Sequence, residues 1–388
     1  MKGLMESRKI LAIVLALGTT TTVLAGTAAA AKWEIETVDP TATGRCTSLK
    51  IDKFGDAHVA YVAEDGSDSL RYAFWDHSIK RWFTMTVSAH ADFSSIALDS
   101  KQHPHISYVD HGSMHGSKLE YAYWDGTSWK KQAIPVNSGS IAYYTSIALD
   151  AKDNPIISFY DHLTPEGDFA IRLRTVAWNG SYWESRTVDE DWGSGKFNAI
   201  ALDSKGHPHI AYANVRAETA GLRYARWDGQ SWNLEIIEGG RGRARSVYSV
   251  SMLLDKDDVP HITYTDVANS RVKYATRRGG SWQVEVVDVL AKVSYPDRNG
   301  IALDAQGQPY ISYYDSGRGD LKIAFRRGQK WYGEIVDQNF SGFTSSLQID
   351  HDAIWVTYAD QVAGALKCAR SSLEQAAVSQ ERPVITPK

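Results

Sequence analysis

The stretch 199–238, AIALDSKGHPHIAYANVRAETAGLRYARWDGQSWNLEIIE, is one of seven copies of a single pattern. An alternating apolar run closes on Asp203, a turn follows, and a second run (HPHIAY) leads into a polar excursion. A third run (LRYARW), a tight turn at Asp228-Gly229 and a last run opening on Trp232 complete the unit. The Asp that closes the first run recurs as Asp52, Asp99, Asp150, Asp203, Asp255, Asp304 and Asp350, at intervals of 47, 51, 53, 52, 49 and 46 residues. Four short strands repeated every fifty residues cannot bury their faces alone. Stacked radially they make a β-propeller, here of seven blades.

Each strand passes the test of alternation. Ile96-Ala97-Leu98, Ile147-Ala148-Leu149, Ile200-Ala201-Leu202 and Ile301-Ala302-Leu303 set a small residue between large ones, which suits the crowded strand beside a central channel. His105-Ile106-Ser107-Tyr108 and His209-Ile210-Ala211-Tyr212 keep the same period in the second strand. Asp and Gly between the two supply turn chemistry. The fourth strand opens on Trp82, Trp129, Trp183, Trp232, Trp282 and Trp331, which are six; the seventh is Trp33, where WEIETVD matches WQVEVVD at 282–288. The last unit stops after its third strand. Strand 33–38 is therefore expected to complete the last blade, closing the ring and hiding two sheet edges.

On these repeats, over 32–372, the chain resembles bacterial secreted seven-bladed propellers of the broad sialidase-like kind. It departs from them at the Asp-box (S-x-D-x-G-x-T-W): Asp125-Gly126-Thr127-Ser128-Trp129 has Gly directly after Asp and reads as a hairpin turn. The kelch double glycine and the ordered WD40 pairings are also missing. The resemblance implies the fold and leaves the activity open.

The ends differ from the array. Lys2, Arg8 and Lys9 precede an apolar run, a Thr-rich patch and a small-residue stretch, the order of a secretory signal peptide over 1–31. That implies export to periplasm or medium, with no transmembrane segment in the mature chain. Residues 373–388 lose the periodicity and read as a disordered tail. Export permits a disulfide, and the chain's two cysteines, Cys46 and Cys368, lie near opposite ends of the array, where a bond would staple the ring. Each equally suits a small buried apolar position. With 42 basic against 46 acidic residues, nothing draws the chain to nucleic acid. A monomer is expected, and no sequence motif asks for a cofactor.

Chemistry is expected at the mouth ringed by the blade-to-blade loops and the loops after the second strands, because loops vary where strands must pack. Five second strands end in Asp: Asp110, Asp161, Asp266, Asp315 and Asp360. A carboxylate ring could hold a cation or sugar hydroxyls, but regular recurrence favours loop capping. Departures from the repeat are more informative. His111, His115 and His162 stand beside Asp110 and Asp161, a set that could ligate a transition metal or do acid–base work, though no fixed motif spacing accompanies it and solvated loop histidines are the plainer reading. His58, His105, His209 and His261 recur by repeat at the opposite mouth and read as packing. Aromatics cluster in the entering loops: Phe93, Tyr143, Tyr144, Trp192, Phe197, Tyr248, Tyr295, Phe340 and Phe343. They would stack on sugar rings if exposed and plug the channel if buried. The basic loop 239–245, with Arg298 and Arg318, could clamp a carboxylate or phosphate.

Three functions fit. The first is an exported binding module for a glycan or protein partner, with Asp110, His111, Tyr160, Asp161, His162, Arg298, Asp315 and Arg318 as candidate contacts. The second is a polysaccharide lyase or hydrolase at the same mouth: Tyr160, His162, Arg298 and Arg318 for a lyase, Asp161 and Asp315 as nominal hydrolase carboxylates. The third is an envelope scaffold working through the rim. The lack of any triad, P-loop or metal motif favours the first.

Overall fold

Large-small alternation with a period of two gives strands able to bury both faces, and that burial is carried through every copy. The computed structural model describes residues 33–112, 117–136, 142–163, 169–216, 218–239, 247–293, 298–338 and 341–373. These form seven four-stranded antiparallel sheets, a seven-bladed β-propeller. Blades 1 to 6 span 43–88, 92–133, 142–189, 194–239, 247–289 and 300–337, each from consecutive strands. Blade 7 takes three strands from 341–372 and its outer one, Glu34–Asp39, from the start of the array. The pairing Glu34↔Arg370, Ile35↔Ala369, Glu36↔Cys368 closes the ring as the Trp count requires. No helix among the described residues is long and apolar enough to cross a membrane. The leader, the tail beyond Leu373, His115, Tyr295, Phe340 and the Arg-rich run 240–245 lie outside the described residues.

The core lies between blades rather than within one. Val272, Tyr274 and Val287 of blade 5 pack on Ile301, Ile311 and Trp331 of blade 6. Second strands such as Pro260–Asp266 are buried throughout, whereas outer strands such as Trp232–Gly239 are mostly open. The opening Trp of an outer strand reaches the preceding blade. Trp331 lies edge-on to Tyr274 at 5.4 Å and donates to Glu285 at 2.9 Å, and Trp82 donates to Glu36 at 3.1 Å. Trp33 donates to Glu334 of blade 6 at 2.9 Å, so the N-terminal strand is tied on both sides.

Asp52 shows why the repeated Asp is needed. Its Oδ1 accepts from the backbone N–H of Phe54 and Asp56 while Gly55 takes φ +86°, closing the first turn. On the same face, His58, His105, His209 and His261 each place Nδ1 2.5–2.7 Å from a Tyr hydroxyl and Nε2 3.4–3.6 Å from that Asp. Four repetitions of this Asp–His–Tyr bracket make it architecture.

The cysteine bridge is not formed. Cys46 and Cys368 are separate buried thiols. Cys46 faces blade 2, where its thiol lies 3.6 Å from Asp92 Oδ1, while Cys368 packs with Leu49 and Trp355 between blades 7 and 1. Burial pushes the Cys368 thiol up to about 12, so it behaves as a small apolar residue.

Candidate functional site

Six of the seven inner strands carry a bulge near the start, and bulges re-aim side chains. Cys46, Phe93, Tyr144, Phe197 and Ser249 all sit there at positive φ, between 49° and 55°. Three residues further on in each copy comes the apolar residue that packs between blades. Arg298 and Thr344 hold the same place in blades 6 and 7, joined by a parallel bridge. Three neighbouring blades thus turn aromatic rings over the channel: Phe93–Tyr144 at 4.4 Å and Tyr144–Phe197 at 4.6 Å, with Tyr248 of the next blade 4.7 Å from Phe197. Only about 20 Å³, room for a single water, is left between this collar and Arg298. Arg298 lies across the channel from its own blade, its guanidinium 3.5 Å from the Ser94 carbonyl of blade 2.

Outside the collar the aromatic surface continues. Tyr143 pairs with Tyr160 across the first two strands of blade 3, which brings the entering loop to the end of the second strand. His162 then packs between both rings, 5.0 Å from Tyr143 and 4.8 Å from Tyr160, and His111 of blade 2 lies 6.0 Å from Tyr143. Desolvation lowers the His162 pKa against the pull of Asp161, and Lys196 adds to the lowering. His162 is thus a neutral imidazole at pH 7, half-buried on an aromatic shelf. His111 is anchored instead, to Ser117 Oγ at 2.5 Å and to Asp92 at 3.5 Å, where Arg45 also holds the carboxylate at 3.1 Å.

The carboxylates expected at this mouth are structural. Asp161 is fully buried and bonds Arg174 at 2.7 Å. Asp315 is 1 % exposed, 3.8 Å from Lys322 and 3.9 Å from Arg318. Asp266 and Asp360 meet Lys273 and Lys367 in the same way. Asp110 caps its loop through the Gly112 N–H at 2.7 Å. Third-strand cations therefore consume the carboxylate ring, and Asp161 with Asp315 supplies no hydrolytic pair. Tyr160 is itself buried, its hydroxyl pKa raised by desolvation and then by Tyr143. It serves as the floor under His162. Arg318 is exposed on blade 6, across the ring from blade 3. The predicted residues thus divide: His111, Tyr160 and His162 come together outside the collar, Arg298 lies beneath it, and Asp110, Asp161, Asp315 and Arg318 stand apart.

Two cations escaped the sequence reading. Lys196 lies beside the bulge of blade 4, and Lys50 lines the channel where Ala97, Ala148 and Ala201 stand in other copies. The break at Lys50 was visible in the repeat. On the opposite face Asp56, Asp76 and His77 bring ligand atoms within 4.8 Å of one another, but His77 is bonded to Asp56 at 2.6 Å and Asp76 caps Ser78.

Neither a protein-family model nor a curated protein matches the chain. Solved structures do. A variant of Aleuria aurantia lectin in complex with Fucα1-6GlcNAc matches with TM-score 0.52 at 13% identity, over 77% of this chain and 97% of the lectin. A PL25 ulvan lyase bound to a GlcA-Rha3S repeat matches with TM-score 0.52 at 11% identity, over 89% and 98% of the two chains. A Hadza microbial sialidase matches with TM-score 0.50 at 12% identity, over 79% and 73%. At such identities the likeness is one of fold. The chain is a seven-bladed β-propeller whose structural neighbours include a lectin, a polysaccharide lyase and a sialidase.

Proposed function

We propose that this is an exported glycan-binding propeller, taking its ligand on the aromatic shelf of blades 2 to 4. One observation carries the reading: Tyr143, His162 and His111 form a continuous ring surface outside a closed collar. Flat amphipathic rings at a polar mouth suit the apolar face of a pyranose, while nearby hydroxyls and imidazoles satisfy its polar edge. Lys196 gives the shelf a basic border, which favours uronic or sulfated sugars.

A second reading rests on the neutral state of His162. In a lyase, a base removes the C5 proton beside the uronate carboxylate, and the electron pair of that C–H bond becomes the C4=C5 double bond. The C4–O bond breaks with its own pair going to the leaving oxygen, which takes a proton from water. His162 suits the base, and Lys196 the cation that holds the carboxylate.

Both readings are tested together by incubating the chain from Lys32 with neutral and acidic polysaccharides, following retention and unsaturated chain ends. Retention without new ends, lost in Tyr143→Ala, supports the binder. Unsaturated ends, lost in His162→Ala, support the lyase. Neither result would leave the protein scaffold, whose exposed apolar residues (Phe83, Leu234, Ile236, Ile335) are spread round the rim over several blades.

A further inference from the structure

We propose that the central channel, below the aromatic collar, binds one small oxyanion between Lys50, Arg298 and an arc of serine hydroxyls. Lys50 occupies a position where four other copies carry alanine (Ala97, Ala148, Ala201 and Ala302), and a cation in a narrow channel is costly unless something answers its charge. Among the described residues the Lys50 ammonium makes no hydrogen bond or ion pair. The charge it feels is that of Arg298, of the same sign, and burial with that repulsion lowers its pKa.

The walls supply an independent argument. Ser48, Ser95, Ser146 and Ser346 line the channel, and each accepts a backbone N–H from the next blade: Ile96, Ile147, Ile200 and Leu49, at 3.0–3.3 Å. A hydroxyl that accepts in this way keeps its own O–H to give, and none of the four gives it to a protein atom among the described residues. These serines come from blades 7, 1, 2 and 3, an arc centred on Lys50. No Asp or Glu lines the channel among the described residues. Donors and positive charge converge on a space of about 110 Å³, which fits a sulfate or phosphate with its waters.

The site is separate from the glycan shelf. Phe93, Tyr144 and Phe197 close it on the mouth side. Gln348 lines both the channel and a groove between blades 5 and 6 on the opposite face, which gives a small anion its entry.

Thermal unfolding of the full chain in sulfate and in phosphate, each against chloride at matched ionic strength, tests this. A ligand of the folded state raises the midpoint with a saturable dependence on concentration. The expected result is a saturable rise in the wild type that is abolished in Lys50→Met and kept in Lys330→Met, a solvent-exposed control. A linear rise of equal slope in all three, the mark of general salt exclusion, overturns the proposal. Should Lys50→Met fail to fold, titration calorimetry of the wild type decides: one sulfate or phosphate per chain supports the site, and no heat of binding at constant ionic strength overturns it.

Discussion

Asp161 and Asp315 carry the lesson at the residue scale. Both stand at the end of a second strand, where a mouth carboxylate would serve chemistry, yet both are ion-paired to the third strand beside them. A buried carboxylate stripped of its cation keeps its desolvation penalty, so Arg174→Met should cost about 3–5 kcal/mol, whereas the double variant Arg174→Met, Asp161→Leu should recover most of it. Urea unfolding checks this; equal losses in both would mean the pair is not what stabilises the site. At the shelf, Tyr143→Ala removes a ring that lies against His111, Phe93, Tyr144 and His162. It should weaken retention of the glycan about tenfold, roughly 1.4 kcal/mol, with the unfolding midpoint nearly unchanged. A large fall in stability with unaltered retention would make Tyr143 a packing residue.

The decisive element is the strand Glu34–Asp39. Its pairing with Ala365–Ser372 and the Trp33–Glu334 and Trp82–Glu36 bonds turn an open stack into a ring. Deleting 33–39 exposes the edge of blade 7 and should replace a single cooperative unfolding step with a broad one, together with concentration-dependent association visible by size exclusion. A monomeric, cooperatively unfolding product would show that closure contributes little. Elsewhere on the ring, Trp331→Ala empties a buried inter-blade site and should cost about 3–5 kcal/mol. Glu285→Gln keeps an acceptor for the Trp331 indole but removes the charge that faces buried Arg326 at 3.2 Å, and should cost about 1–3 kcal/mol.

At the scale of the whole molecule, the repeated histidines set a pH dependence. Burial holds His58, His105, His209 and His261, like His162, below the ordinary 6.5. As pH falls through that value the unfolded chain takes up protons that the folded chain refuses, so stability must drop. Asp203 and Asp255 are lowered from 3.8, so their contribution is lost only in stronger acid. His77, raised by its bond to Asp56, and Glu120 and Asp320, raised by desolvation, act in the opposite sense and offset part of the effect of the five histidines. The urea midpoint is therefore expected to fall between about pH 7 and about pH 5, and less steeply in His105→Gln. A flat profile over that range would sink the assignment.

How much of this was legible follows from what repetition encodes. Strand alternation, the Asp-Gly turns and the seventh Trp at the front are local signals multiplied by seven, and they determined blade number, strand order and ring closure before any coordinate. Lys50 was legible too, as a break in an alanine position. What the sequence could not decide is which charges face each other and where a bulge turns a ring. Asp161 and Arg174 are thirteen residues apart and register alone brings them together. Phe93, Tyr144 and Phe197 lie about fifty residues apart and become a collar only when three bulges stand side by side. Local pattern determines strands; the meeting of side chains from different blades is decided by register and radial packing, and the channel, its collar and the shelf exist only there.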